Sequence, residues 1–312
     1  MVRPTSVDFC RRLPDSTDKA SLRGIALLFA LRKLASVLCC VLAVGCSLNA
    51  DADRKQCSND CDCTERGPEF AQSVCVNSWC APEPKWSCLD TPPAMSSESG
   101  SFSITLRVQD VLQAAPLAGV EARLCRNFDV NCENPQAGPV MSDDFGVVRF
   151  EVRPDSPPLG FSGFVSFTRS DLMPGMYFFN SSIDRAVDIS GIQLLNTQAV
   201  GVLTQLLDAE FDPERGLVLI SAYDCKEEPA DGVMLMTDDT DEFSATFYSV
   251  KGIPALGATA TDLSGYAGIF NVPPGRIAVT GRLNQDGRIL ASLSLLVKAG
   301  SITYSRMAPR GA

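Results

Sequence analysis

The chain has 312 residues and is 45% hydrophobic, enough for about two ordinary domains and too apolar for wholesale disorder. Its net charge is -10, with no Lys/Arg cluster beyond the N-terminal stretch, which excludes a phosphate-neutralising nucleic-acid surface. Histidine is absent, so Ser-His-Asp and Cys-His nucleophiles, His-ligated zinc and His general bases are all removed; carboxylate-pair chemistry remains available.

Residues 1–45 read as a leader. Arg11, Arg12, Lys19, Arg23, Arg32 and Lys33 precede LASVLCCVLAVGC, Leu34 to Cys46, a short apolar run ending in small residues. That is the layout of an export signal, and the run falls short of the roughly 20 apolar residues that span a bilayer. A second apolar run, Gly24 to Ala30, lies ahead of Arg32-Lys33. It fits a true start downstream of Met1, or a signal anchor interrupted by those two charges. The ending AVGC resembles a bacterial lipobox, which implies that Cys46 is lipidated and becomes the mature N-terminus. The resemblance implies a membrane partner through the lipid anchor, each buried CH2 contributing about 0.8 kcal/mol. Ordinary cleavage near Gly45 or Ala50 is the alternative.

A tether, 46–56, leads to a Cys-rich module over 57–88 holding Cys57, Cys61, Cys63, Cys75, Cys80 and Cys88. An even set at short spacing behind an export signal predicts three disulfides of open pairing, since so small a segment cannot bury a sufficient core. Zinc is the competing reading, but no Cys-x-x-Cys pair supports it, and no metal or cofactor is expected. The segment resembles small EGF-like modules of secreted proteins. Both tryptophans, Trp79 and Trp86, sit in it; they offer either a stacking surface for a ligand or a cover for the disulfides.

The Pro/Ser-rich stretch 89–101 reads as a linker. Beyond it Phe102, Ile104, Leu106 and Val108 alternate as a strand buried on one face, PLAGV (Pro116 to Val120) leads a second strand, and SDDFG (Ser142 to Gly146) turns into a third. The order recurs at domain-scale spacing as LVLISAYDC (Leu217 to Cys225), PADGV (Pro229 to Val233) and TDLSG (Thr261 to Gly265), then a Pro-Pro-Gly turn ending at Gly275. Proline suits the loop before a strand, glycine supplies the left-handed corner, and the Asp can cap the turn amides. The expected architecture is all-β: two tandem β-sandwiches over 102–195 and 214–308, behind the disulfide module and signal segment. A helix is predicted in the connector 196–213, with Ala199, Val200, Leu203, Leu206 and Leu207 on one stripe and Asn196 or Thr197 as N-cap.

This grammar resembles the carboxypeptidase regulatory-like, transthyretin-like β-sandwich family. The resemblance implies secreted or surface binding and spacing units, with carbohydrate binding among related sandwiches; hydrolysis in the transthyretin-like group relies on His and does not carry over. Cys125 and Cys132 bracket a short loop and are expected to bridge it. Cys225 is left as a buried free thiol or a partner for the Cys-rich module. TDDTDE (Thr237 to Glu242) suggests calcium but lacks EF-hand spacing and reads as a solvated loop. The functional expectation is a lipid-anchored cell-envelope protein, at the outer membrane or cell surface, that is no enzyme and whose sandwiches bind or space, toward glycan or another envelope protein. A carboxylate-pair glycosidase and a purely structural component are the alternatives.

Overall fold

A computed structural model of the chain describes residues 57–58, 62–63, 66, 73–82, 85–90, 100–153, 160–179 and 181–309. The leader, Cys46 with its tether, Cys61 and linker positions 91–99 lie outside the described residues. One compact unit ends at Pro84 and a second begins at Lys85.

The first unit is built on a hairpin of β1 (Ser73–Val76) and β2 (Trp79–Pro82). Its two-residue turn, Asn77 and Ser78, has φ of 51° and 68°. Two successive left-handed residues match the twist of the flanking strands, and Asn tolerates that region better than most side chains. The register sets Cys75 opposite Cys80. From there each reaches a different partner, Cys57 to Cys75 and Cys63 to Cys80.

The second unit carries the repeat. Its first half contains β3 (Phe102–Asp110), β4 (Glu121–Arg126), β5 (Ala137–Met141), β6 (Val147–Val152), β7 (Gly163–Thr168), β8 (Gly175–Phe178) and β9 (Val187–Leu194). Helix α1 (Thr197–Leu207) follows. The second half contains β10 (Gly216–Ala222), β11 (Val233–Met236), β12 (Ala245–Val250), β13 (Ile253–Ala255), β14 (Tyr266–Val272), β15 (Gly275–Leu283), β16 (Ile289–Val297) and β17 (Ile302–Met307).

The duplication is topological. In the first half β3 pairs antiparallel with β6 and parallel with β9. In the second, β10 pairs antiparallel with β14 and parallel with β17. Strands β4, β7 and β8 run side by side as β11, β15 and β16 do. The expected pair of all-β sandwiches is therefore present.

The two motifs that mark each copy are bonded to one another. Ser142 Oγ donates to the Leu117 carbonyl at 2.6 Å and accepts from the Val120 amide at 2.9 Å. Thr261 Oγ1 donates to the Ala230 carbonyl at 2.7 Å and accepts from the Val233 amide at 2.9 Å. Pro-x-x-Gly-Val and Ser/Thr-Asp-x-x-Gly are thus two halves of one pinned corner, and both hydroxyls are buried. The aspartates cap as expected: Asp143 Oδ1 accepts from the amides of Phe145 and Val147, and Asp262 Oδ1 from that of Ser264. The glycines of the acidic turns have φ of +70°, and each lies against the backbone of the opening strand.

The halves also share a sheet. Nine strands run in the order β13-β12-β14-β10-β17-β8-β7-β4-β5, joined where β17 lies parallel to β8. Both seam strands are almost continuously buried, as expected of strands covered on both faces. Alternation divides the sheet's two faces. Val165, Phe167, Leu217, Phe247 and Tyr304 join the core with the sheet β6-β3-β9, whereas Phe164, Phe178, Val218, Ile220 and Ile269 join that with the sheet β11-β15-β16. The small sheets therefore cover opposite faces of the large one, each toward its own half.

Helix α1 starts where Asn196 accepts the Ala199 amide at 2.8 Å, and it ends on a left-handed Asp208. Ala199, Val200, Leu203 and Leu207 are buried as predicted; Leu206, expected on the same stripe, is half exposed.

The cysteine pattern needs one correction. Cys88, expected to bridge within the Cys-rich module, is bonded instead to Cys225, which takes the second of its two expected roles, a partner for that module. Sequence spacing favoured local closure, but the chain from Lys85 folds into the second unit, where the Lys85 carbonyl accepts the Cys225 amide and Lys85 pairs with Asp231. The bridge Cys125 to Cys132 forms as expected.

Candidate functional site: a tyrosine-lined cavity

The stagger of the small sheets leaves part of the large sheet's face covered by α1 and the edge of β9 rather than by another sheet. A cavity of about 630 Å³ opens there. Its floor comes from alternate residues of the shared sheet: Tyr177 on β8, Tyr304 and Arg306 on β17, Leu219 and Ser221 on β10, Phe247 and Ser249 on β12. Its roof is Ala199, Val202, Leu203 and Leu206 of α1, with β9 forming one wall. The half-exposed Leu206 is explained by this position.

Four of the chain's five tyrosines, Tyr177, Tyr223, Tyr266 and Tyr304, line this space. The fifth, Tyr248, points to the opposite face and accepts the Leu235 amide at 2.9 Å. Burial pushes Tyr304 and Tyr177 well above the ordinary phenol range, although the nearby Arg306 charge partly offsets this for Tyr177. Tyr266 is raised by burial as well. These phenols therefore remain neutral hydrogen-bond donors at physiological pH.

Two hydroxyls of cavity-lining residues are themselves buried. Ser249 Oγ and Tyr304 Oη have no hydrogen-bond partner among the described residues. The Leu195 backbone lies near enough to Tyr304 to offset part of the effect of burial, so this hydroxyl is not wholly without polar contact. Leaving a buried hydroxyl unpaired costs about 1–3 kcal/mol, and both belong to residues that line the cavity.

The charges on the wall are paired. Arg306 lies 3.9 Å from Glu227 and 3.9 Å from the centroid of the Tyr223 ring. Asp188 pairs with Arg107 at 3.1 Å. Each carboxylate on the cavity thus has an arginine beside it.

The residues singled out in the sequence fall elsewhere. Trp86 is buried at 7% exposure in the core beside β11, β15 and β16, which removes it as a stacking surface; it fills space and lies under the Lys85 ammonium. Trp79 is 44% exposed on β2 of the first unit. In the acidic run, Asp239 accepts the Ala278 amide at 2.7 Å and Asp241 forms a two-toothed pair with Arg215, both contacts at 2.8 Å. Asp239 and Asp241 therefore hold a loop in place. Among the described residues, Cys57, Cys63 and Cys80 cluster closely enough for a metal, but their sulfurs are bonded in the two disulfides.

The cavity was missed because tyrosines at 177, 223, 266 and 304 share no local motif. A trace was present in LVLISAYDC, whose one face reads Leu217, Leu219, Ser221, Tyr223 and turns from apolar to hydroxyl-bearing along its length.

No family model matches the chain, and no curated protein matches it. Among solved structures it is similar to the Bacillus anthracis TIE protein, at 13% identity over 68% of this chain and 34% of that one, with a TM-score of 0.21. It is also similar to a streptococcal ancillary pilin, at 11% identity over 67% and 63%, TM-score 0.22. A third is the carbohydrate-binding module CBMbc of Eubacterium rectale Amy13K, solved with maltoheptaose, at 9% identity over 67% and 93%, TM-score 0.23. The chain spans about a third of the first of these and under two thirds of the second. Scores of this size carry no functional information, and the sandwich assignment rests on the strand pairing itself.

Proposed function

We propose that this chain is a non-enzymatic binding protein of the cell envelope, acylated at Cys46 and held at the membrane surface, whose double sandwich presents the tyrosine-lined cavity to a ligand. The observation that carries the binding role is the cavity of about 630 Å³ itself, roofed by α1 and lined by Tyr177, Tyr223, Tyr266 and Tyr304. A volume in the range of small-molecule sites, mostly apolar walls and a few polar groups on rigid strands are what ligand recognition requires. The basic leader ending at Cys46 supports export, and the described disulfides support an oxidising compartment. A glycan or another envelope protein would be met by exposed loops outside the cavity, and a glycan array tests that arm.

Two measurements test the proposal. In a bacterial host the wild-type chain should sediment with membranes and Cys46→Ser should not; equal sedimentation removes the anchor. Native mass spectrometry of the released wild-type protein should show a discrete small-molecule adduct. Val202→Trp, which fills the cavity from the helix, should lack it, and an identical spectrum from both proteins removes the cavity as the binding site.

A further inference from the structure

Resting on the reading of this cavity as a ligand site, we propose that its ligand is a short peptide, bound in extended form along the outer edge of β9 as an added strand.

The edge is the first observation. Strand β9 is the last of its sheet, and β3 lies on one side of it alone. Asp188, Ile189, Ser190, Gly191, Ile192 and Gln193 all line the cavity. Side chains alternate between the two faces of a strand, so successive residues border one space together where that space lies along the strand's edge. An unpaired edge presents a row of N–H and C=O groups, which a peptide main chain matches. Among the described residues no strand is paired there, and the edge closes only at Leu195, whose carbonyl accepts the Met173 amide at 2.9 Å.

The repeat is the second observation. β9 and β17 are counterparts, each parallel to the opening strand of its own half. On its other side β17 carries β8, also parallel, whereas the matching position beside β9 holds no strand among the described residues. The cavity lies in that position. Other edges are blunted: β13 is three residues long with Pro254 at its centre, and β5 carries Pro139. The edge of β16 is covered where Thr303 Oγ1 donates to the Leu296 carbonyl at 2.6 Å. Strand β9 has eight residues and no proline.

The lining suits such an occupant. A strand beside β9 points alternate side chains at the floor, with Tyr177 and Phe247, and at the roof, with Val202 and Leu203. A bulge limits its length: the register of β9 against β3 shifts between Ile189 and Ile192, and Gly191 between them has φ of 77°. Straight pairing therefore runs for only a few residues on either side.

The test uses the full chain carrying Cys46→Ser, which needs no detergent. The adduct seen by native mass spectrometry, and lost in Val202→Trp, should break on collisional activation into fragments spaced by amino-acid residue masses. Fragments of any other kind would overturn the peptide while leaving the cavity as a ligand site. The binding probe is a pool of acetylated, amidated hexapeptides randomised over valine, leucine, serine and threonine. It should saturably slow amide hydrogen exchange within 187–193 by about tenfold, and Val202→Trp should abolish this without loss of the thermal transition. The same pool N-methylated at every residue has no main-chain donors and should give no protection. Equal protection by the methylated pool, or protection confined to segments outside 187–193, would overturn the added strand. Absence of both adduct and protection would overturn the site and the proposal together.

Discussion

Tyr177 and Tyr304 are register partners across the parallel pairing of β8 with β17, one tyrosine from each half of the repeat. Both rings are buried on the same face, so the seam joining the halves is also part of the cavity floor. Stability of the shared sheet and integrity of the site are therefore linked. Residues 85–312 should unfold in one transition, with probes in the first and second halves giving coincident denaturant midpoints. Two separated midpoints would show that the seam does not couple them.

The pinned corners carry a second prediction. Ser142→Ala and Thr261→Val each strand a buried carbonyl and amide, and each should cost about 1–3 kcal/mol in urea unfolding. Thr261→Ser, which keeps the hydroxyl, should cost far less. The corner glycines separate two effects. A Cβ at Gly146 or Gly265 would lie 2.3 or 2.5 Å from a backbone carbonyl oxygen, whereas Gly119 and Gly232 have open space. Alanine at the latter pair should cost only the left-handed backbone penalty of about 1–2 kcal/mol, and at the former pair clearly more.

The bond between Cys88 and Cys225 closes a long loop, with a sequence separation of 137. Restricting so long a loop in the unfolded chain gives the bridge a contribution of about 2–5 kcal/mol. Cys225→Ser should lower the thermal midpoint in oxidising buffer. Under reducing conditions the difference from wild type should shrink, and a constant difference would assign the effect to something other than the covalent bond.

Asp241 supplies a pH test. Hydrogen bonds from Arg215 hold its carboxyl down at about 2, below the ordinary 3.8. The folded chain therefore binds this proton more weakly than the unfolded chain does. Its contribution is present above about pH 4 and is lost as pH falls toward 2. The thermal midpoint of wild type should drop more steeply over that interval than that of Asp241→Asn; parallel slopes would show that the pair adds no linkage.

Much of the fold was legible because its signals are short-range. Strand faces follow from alternation at Phe102, Ile104, Leu106 and Val108, and the helix from the spacing Ala199, Val200, Leu203, Leu207 behind Asn196. The corner motifs were recognisable as turns since Asp143, Gly146, Asp262 and Gly265 satisfy needs a few residues away. That Ser142 and Thr261 reach back to Pro-x-x-Gly-Val lay beyond that range, although the shared order of the motifs in both copies hinted at a common role.

The amino-acid order by itself determined the strands, the helix, their turns and the duplication, because each depends on residues within a few positions and on side-chain periodicity. The tertiary structure alone decided that β8 would meet β17, that Cys88 would find Cys225, and that four scattered tyrosines would surround one space. Backbone pairing at a strand edge uses amide groups common to every residue, so the choice of neighbour is made by the packing of whole faces and leaves little trace in any one segment.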